Sequence, residues 1–152
     1  MPPVKTIAAL AGLCLASCSA RHSGTPQISI SGAWSRATVA GQSSAAAYFS
    51  VTNKGDGDDR LLSVSAPMGK AMLHSTTITE QGVMEMRPMK DLPVPAHSTV
   101  TLKPGGMHVM IMNVKKPLQA GDSYNLQLRF DRSGTRNVTV AVRPATATGA
   151  TT

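Results

Sequence analysis

Every methionine except the initiator lies between positions 68 and 112 of this 152-residue chain: Met68, Met72, Met84, Met86, Met89, Met107, Met110 and Met112. His74, His97 and His108 share that window. Neutral imidazole and thioether are soft donors that together suit Cu(I), whereas Mg²⁺ and Ca²⁺ want oxygens and structural zinc takes thiolates or more histidine. Thioethers need no deprotonation and cannot be lost to disulfides, so such a set works in an oxidising compartment. A neutral ligand set holds its ion less firmly than thiolates would and can give it away. Its weakness is oxidation of methionine to the sulfoxide. Against this stands the plain reading of methionine as an adaptable core filler, so spacing has to decide.

His108 and Met110 are two apart in Met107 to Val114, which reads as a strand. Both side chains therefore leave one face about 6.6 Å apart along the chain, and Met112 continues that face. His74 and Met86 flank the turn Glu80-Gln81-Gly82 of an expected hairpin. A three-residue loop pairs Thr79 with Val83 and sets Met86 opposite Thr76, one diagonal step from His74 on the same face; a two-residue turn at Gln81-Gly82 would put the two on opposite faces. The metal reading thus requires the odd-length loop.

These segments belong to a series of short alternating or β-branched runs: 27–34, 45–53, 61–66, 71–79, 83–87, 98–102, 108–114, 123–130 and 137–142. Between them, 54–59, 91–95, 103–106 and 120–122 carry turn chemistry, and no long amphipathic helix is visible. About nine strands predict an all-β, Greek-key antiparallel β-sandwich, with a barrel as the next possibility.

Lys5 precedes a short apolar stretch, Thr6 to Leu15, too brief to span a bilayer and suited to an export signal. It ends in Leu15-Ala16-Ser17-Cys18, which resembles the lipobox of bacterial lipoproteins, making residues 1–17 the signal peptide and Cys18 the lipidated N-terminus. A cut nearer Ala20 is the alternative. Residues 18–26 are then a lipidated start and polar spacer, 27–143 the binding domain, and 144–152 a flexible tail. The chain would sit outside the cytoplasm, tethered to a membrane by its lipid.

The full chain has 15 basic and 8 acidic side chains. Removing Lys5 leaves 14 against 8, a net +6, and no cysteine beyond Cys18. No disulfide or thiolate metal site is then available. The basic residues form no stripe and have no interleaved aromatics, and an exported protein does not meet the genome, so nucleic-acid binding is rejected. Asp56-Gly57-Asp58-Asp59 reads as a solvated turn, since Leu61 and Pro67 stand where a calcium loop needs Gly and Glu. No phosphate loop, nucleophile elbow or zinc-protease helix appears, and the chain does not read as an enzyme. Met84, Met89, Met107 and Met112 suit an apolar collar around a metal or core filling equally. Met68 and Met72 read as packing, His97 as a surface residue, and His22 as part of the spacer.

The interval pattern His74, Met86 twelve later, His108 twenty-two later and Met110 two later resembles the copper motif of the PCuAC-type periplasmic copper chaperones. Ala33-Trp34-Ser35-Arg36-Ala37, Ala47-Tyr48-Phe49, Asp59-Arg60-Leu61-Leu62, Met86-Arg87-Pro88 and Pro104-Gly105-Gly106-Met107-His108-Val109-Met110 extend the resemblance over nearly the whole domain. It implies a cupredoxin-like β-sandwich in which His74, Met86, His108 and Met110 hold one Cu(I) per chain. It also implies a monomeric periplasmic carrier that passes copper toward the copper A centre of cytochrome c oxidase, with subunit II or another copper chaperone as recipient. The segment Ala145 to Thr152 lacks the His- and Met-rich tail of some relatives, which implies a single site. Competing readings are an exported adaptor whose Met-rich surface binds a protein and a periplasmic copper buffer.

Overall fold

The computed structural model describes residues 24–149. The signal segment, Cys18 and most of the spacer lie outside the described residues. Ten strands run in chain order: β1 (Ile28–Arg36), β2 (Ser44–Asn53), β3 (Asp59–Ser65), β4 (Lys70–Ile78), β5 (Met84–Pro88), β6 (Leu92–Val94), β7 (Ser98–Thr101), β8 (His108–Met112), β9 (Ser123–Phe130) and β10 (Thr135–Arg143). There is no helix among the described residues. The strands hydrogen-bond in the order β5-β4-β8-β2-β1-β10-β9-β3-β6, with β7 also paired to β2. This sheet folds over a core containing Phe49, Val51, Leu61, Val109, Ile111, Leu126, Leu128 and Val140. An all-β sandwich is the expected architecture, with two differences in detail. β1 and β10 run parallel. Residues 91–95, whose two prolines read as a turn, contain β6, an edge strand that buries Leu92 and Val94 and pairs with β3. Pro93 is compatible with such a strand because an edge position can forgo a ladder donor.

Strand alternation assigns the faces. In β8 Val109 and Ile111 turn into the core, so His108, Met110 and Met112 leave the opposite face. In β4 Leu73 is the inward residue, which puts Met72, His74 and Thr76 on that same outer face. One bulge adjusts this pattern. β1 takes an extra residue between the pairs Ser31–Ser50 and Trp34–Tyr48, where Gly32 has φ of 61°. A left-handed glycine at a bulge reverses the parity of the residues after it. Ile28 and Ile30 accordingly pack against the core before the bulge, while Trp34 pairs with Tyr48 on the outer face beyond it.

The acidic turn before β3 uses its oxygens internally. Asp58 accepts the Ala96 N–H at 2.8 Å, and Asp56 contacts His97 Nε2 at 2.9 Å. Asp59 accepts the N–H groups of Arg60, Arg132 and Ser133 at 2.7, 2.9 and 3.0 Å, joining β3 to the β9–β10 turn. Gly57 is required here because a Cβ would run into the Gly24 carbonyl. Burial alone would push the Asp59 carboxyl up, but the neighbouring Ser133 hydroxyl and the three N–H donors outweigh it and hold the carboxyl below its ordinary value. A lowered native pKa gives stability that is present above the unfolded carboxyl's pKa of about 4 and is lost as pH falls through the native one. Asp59→Asn should therefore lower the urea midpoint at neutral pH, by about 1–3 kcal/mol of stability, followed through the fluorescence of Trp34, the chain's one tryptophan. The gap to the native protein should close in acid; a gap that persists unchanged at low pH would show that the carboxylate charge is not what holds the turn.

Candidate metal centre

The pairing of β4 with β8 sets His74 directly opposite His108 and Met72 directly opposite Met110. Paired residues of antiparallel strands share a face, and the two imidazoles stand with centroids 5.9 Å apart and planes 17° from parallel. On the other edge of β4, Thr76 faces Met86 and Thr79 faces Val83. This is the three-residue loop that the metal reading requires, and Met86 lies one diagonal step from His74 on the shared face. All four residues expected from the sequence therefore rise from one face of three neighbouring strands. Met110 and Met86 stand on opposite sides of the histidine pair.

The turn after β7 orients His108. Gly105 has φ of 77°, a left-handed conformation suited to glycine. Beyond it, the Gly106 carbonyl accepts the Thr76 N–H at 3.2 Å and contacts His108 Nδ1 at 3.0 Å. A carbonyl can only accept, so Nδ1 carries the proton and the Nε2 lone pair is left available for a metal. Such a backbone contact is a common way to fix a ligating histidine. His108 is buried at 6% exposure. His74 Nδ1 is buried without a hydrogen-bond partner. A desolvated nitrogen of this kind costs free energy until something meets it, which fits a ligand atom. Among the described residues no three His, Cys, Asp or Glu side chains gather around one point. Beside the two imidazoles, this face presents the thioethers of Met86 and Met110.

The remaining methionines divide by face. Met68, Met89 and Met107 pack against the core. Met72, which reads as packing from the sequence, instead belongs to the histidine face, because it is two residues from His74 along β4 and opposite Met110. Met84 pairs with Ile78 and Met112 with Lys70, on that same face. Met84 and Met86 are 59% and 58% exposed, with Ile78 and Val83 also exposed, so the hairpin end is apolar and open to solvent. His97 lies on the surface beside Asp56, away from this face.

Trp34 and Tyr48 carry no functional signal in the sequence, yet they continue the histidine row. Their rings are 4.8 Å apart, and Tyr48 stands 6.5 Å from His108. Trp34, Tyr48, His108 and His74 make an unbroken line of rings across β1, β2, β8 and β4. Both aromatics are buried and wall one side of the histidines. Burial pushes the Tyr48 hydroxyl up from its ordinary pKa, partly opposed by the Arg36 guanidinium. Arg36 also donates from Nε to the Ala147 carbonyl at 2.8 Å, beside the cleft that Thr148 and Gly149 line together with Trp34. The one available clue is the adjacent pair Tyr48-Phe49: neighbours in a strand point to opposite faces, so a core holding Phe49 must leave Tyr48 outside.

Comparison with known proteins identifies a family and solved structures to which the chain is similar. Residues 28–142 match the model of the family described as "Putative lipoprotein LpqE-like". The chain is 34% identical over 117 residues to Putative lipoprotein Lxx21020 of Leifsonia xyli subsp. xyli, covering 76% of this chain and 69% of that one. The apo PCuAC domain of PmoF2 superposes with a TM-score of 0.66 at 28% identity, covering 81% of this chain and 94% of that domain. Cu(I)-bound DR1885 of Deinococcus radiodurans superposes with a TM-score of 0.58 at 32% identity, covering 76% and 77%. The chain therefore belongs to the LpqE-like family and is of the PCuAC type.

Proposed function

We propose that the protein is an exported, lipid-anchored Cu(I) carrier that binds one ion at His74, His108, Met86 and Met110 and surrenders it to a recipient outside the cytoplasm. The observation that carries this reading is the facing pair of imidazoles, with the lone pair of His108 Nε2 available and His74 Nδ1 buried without a partner. Thioethers from both sides of that pair supply the soft donors Cu(I) favours. Solved relatives that carry copper support the choice of ion. The exposed hairpin end around Met84 and Met86 leaves one edge of the site reachable by an incoming ligand, as transfer between proteins requires. Delivery toward the copper A centre of cytochrome c oxidase, through subunit II or another copper chaperone, is the role we assign to that transfer. Cys18 and the family's description as a lipoprotein support the lipid tether, and the periplasm is the compartment we assign to it.

The same apolar hairpin end also suits an adaptor that docks a protein without metal, and titration separates the two. Cu(I) added under reducing conditions should bind with one equivalent, and His74→Ala or His108→Ala should each weaken it by at least about 100-fold in chelator competition, since losing even a group that only orients a ligand costs about 10–100-fold. Equal uptake by the native and both alanine variants would contradict the carrier reading. Mild peroxide provides a second check. Mass spectrometry of peptides should find Met84 and Met86 converted to sulfoxide before Met68, Met89 and Met107, with weakened Cu(I) uptake that methionine sulfoxide reductases restore. Full uptake after oxidation of Met86 would remove that sulfur from the site.

A further inference from the structure

We infer that Met72 is a further thioether ligand for Cu(I), closing a four-residue square with His74, His108 and Met110; this rests on the copper reading above. The register carries the argument. Met72 faces Met110 and His74 faces His108, so the four occupy two alternate rungs of a single antiparallel ladder, with the inward pair Leu73–Val109 between them. Neighbours across such rungs are about 5 Å apart and neighbours along a strand about 6.8 Å apart, with every side chain on one face. Two imidazoles and two thioethers then share a patch small enough for one ion, without any displacement of the strands.

Met86 occupies a different position. It lies on β5, opposite Thr76, beyond the histidine row from Met110. By strand spacing its Cα stands two strands and four residues from that of Met110, on the order of 16 Å on a flat sheet. Met86 therefore approaches the ion from across the histidine pair, whereas Met72 already flanks Met110. Met72 is only partly buried and is absent from the hydrophobic core, so its thioether is not committed to packing as those of Met68, Met89 and Met107 are. In this arrangement Met72 holds the ion from the β4 side, and Met86, more than half exposed, is the sulfur on the solvent side.

The test is a Cu(I) titration of the native protein carrying ¹³C-labelled methionine methyls, under reductant. The methyl of Met72 should shift together with that of Met110 over the first equivalent, and Met72→Leu, a volume-conserving change at a partly exposed site, should weaken binding about tenfold in chelator competition. In Met86→Leu, X-ray absorption should still count two sulfurs on the bound ion. An unmoved Met72 methyl while those of Met86 and Met110 shift, with native affinity in Met72→Leu, would overturn the assignment and leave the carrier reading standing. If the native protein takes up no Cu(I), the carrier reading falls and this assignment with it.

Discussion

The structure depends on one register: the pairing that sets His74 against His108 across β4 and β8. Side chains alternate faces along a strand, so a slip of one residue would turn His108 and Met110 into the sandwich and expose Val109 and Ile111. The core prevents that slip. Val109 and Ile111 are both fully buried, and moving two such side chains into water would cost several kcal/mol, at about 1.5–3 kcal/mol each. The inner face of the sheet therefore fixes the geometry of its outer face. The proposed neutral metal site would thus be held in place by a hydrophobic core that never touches the ion.

Around that pair, each flank has a different physical character. The Lys103 to Met107 turn supplies a backbone carbonyl that sets the His108 tautomer, so the buried ring presents Nε2. Tyr48 and Trp34 wall the histidines toward β1, in a position that depends on the bulge at Gly32. Toward β5 the sheet ends in a hairpin with exposed methionines. One side is buried and aromatic while the other is exposed and carries thioethers, which suits a site proposed to keep an ion and also part with it.

Much of this is legible in the sequence. The strand reading of residues 108–114 comes from the period of two, whereas the loop at 80–82 could be two or three residues long by sequence, and its odd length, with the shared face of His74 and Met86, is what the structure supplies. Long-range pairing is less accessible. That β4 lies beside β8, bringing His74 directly opposite His108, depends on the whole sandwich and on no local signal. Met72 reads as packing for the same reason: its partner Met110 is distant in sequence. β6 escapes a sequence reading because Pro93 and Pro95 look like punctuation, although an edge strand tolerates them. The outward turn of Trp34 hangs on a single glycine bulge, which alternation alone does not reveal.

The central claim is that two facing imidazoles bind the ion together, His108 through Nε2. Long-range ¹H–¹⁵N spectra of the histidine rings, recorded before and after one equivalent of Cu(I), test it most directly. The account predicts that His108 already carries its proton on Nδ1 without copper, and that on addition its Nε2 and a ring nitrogen of His74 shift together while His97 does not. A His108 ring protonated on Nε2 throughout, or rings of His74 and His108 that ignore the added ion, would contradict it.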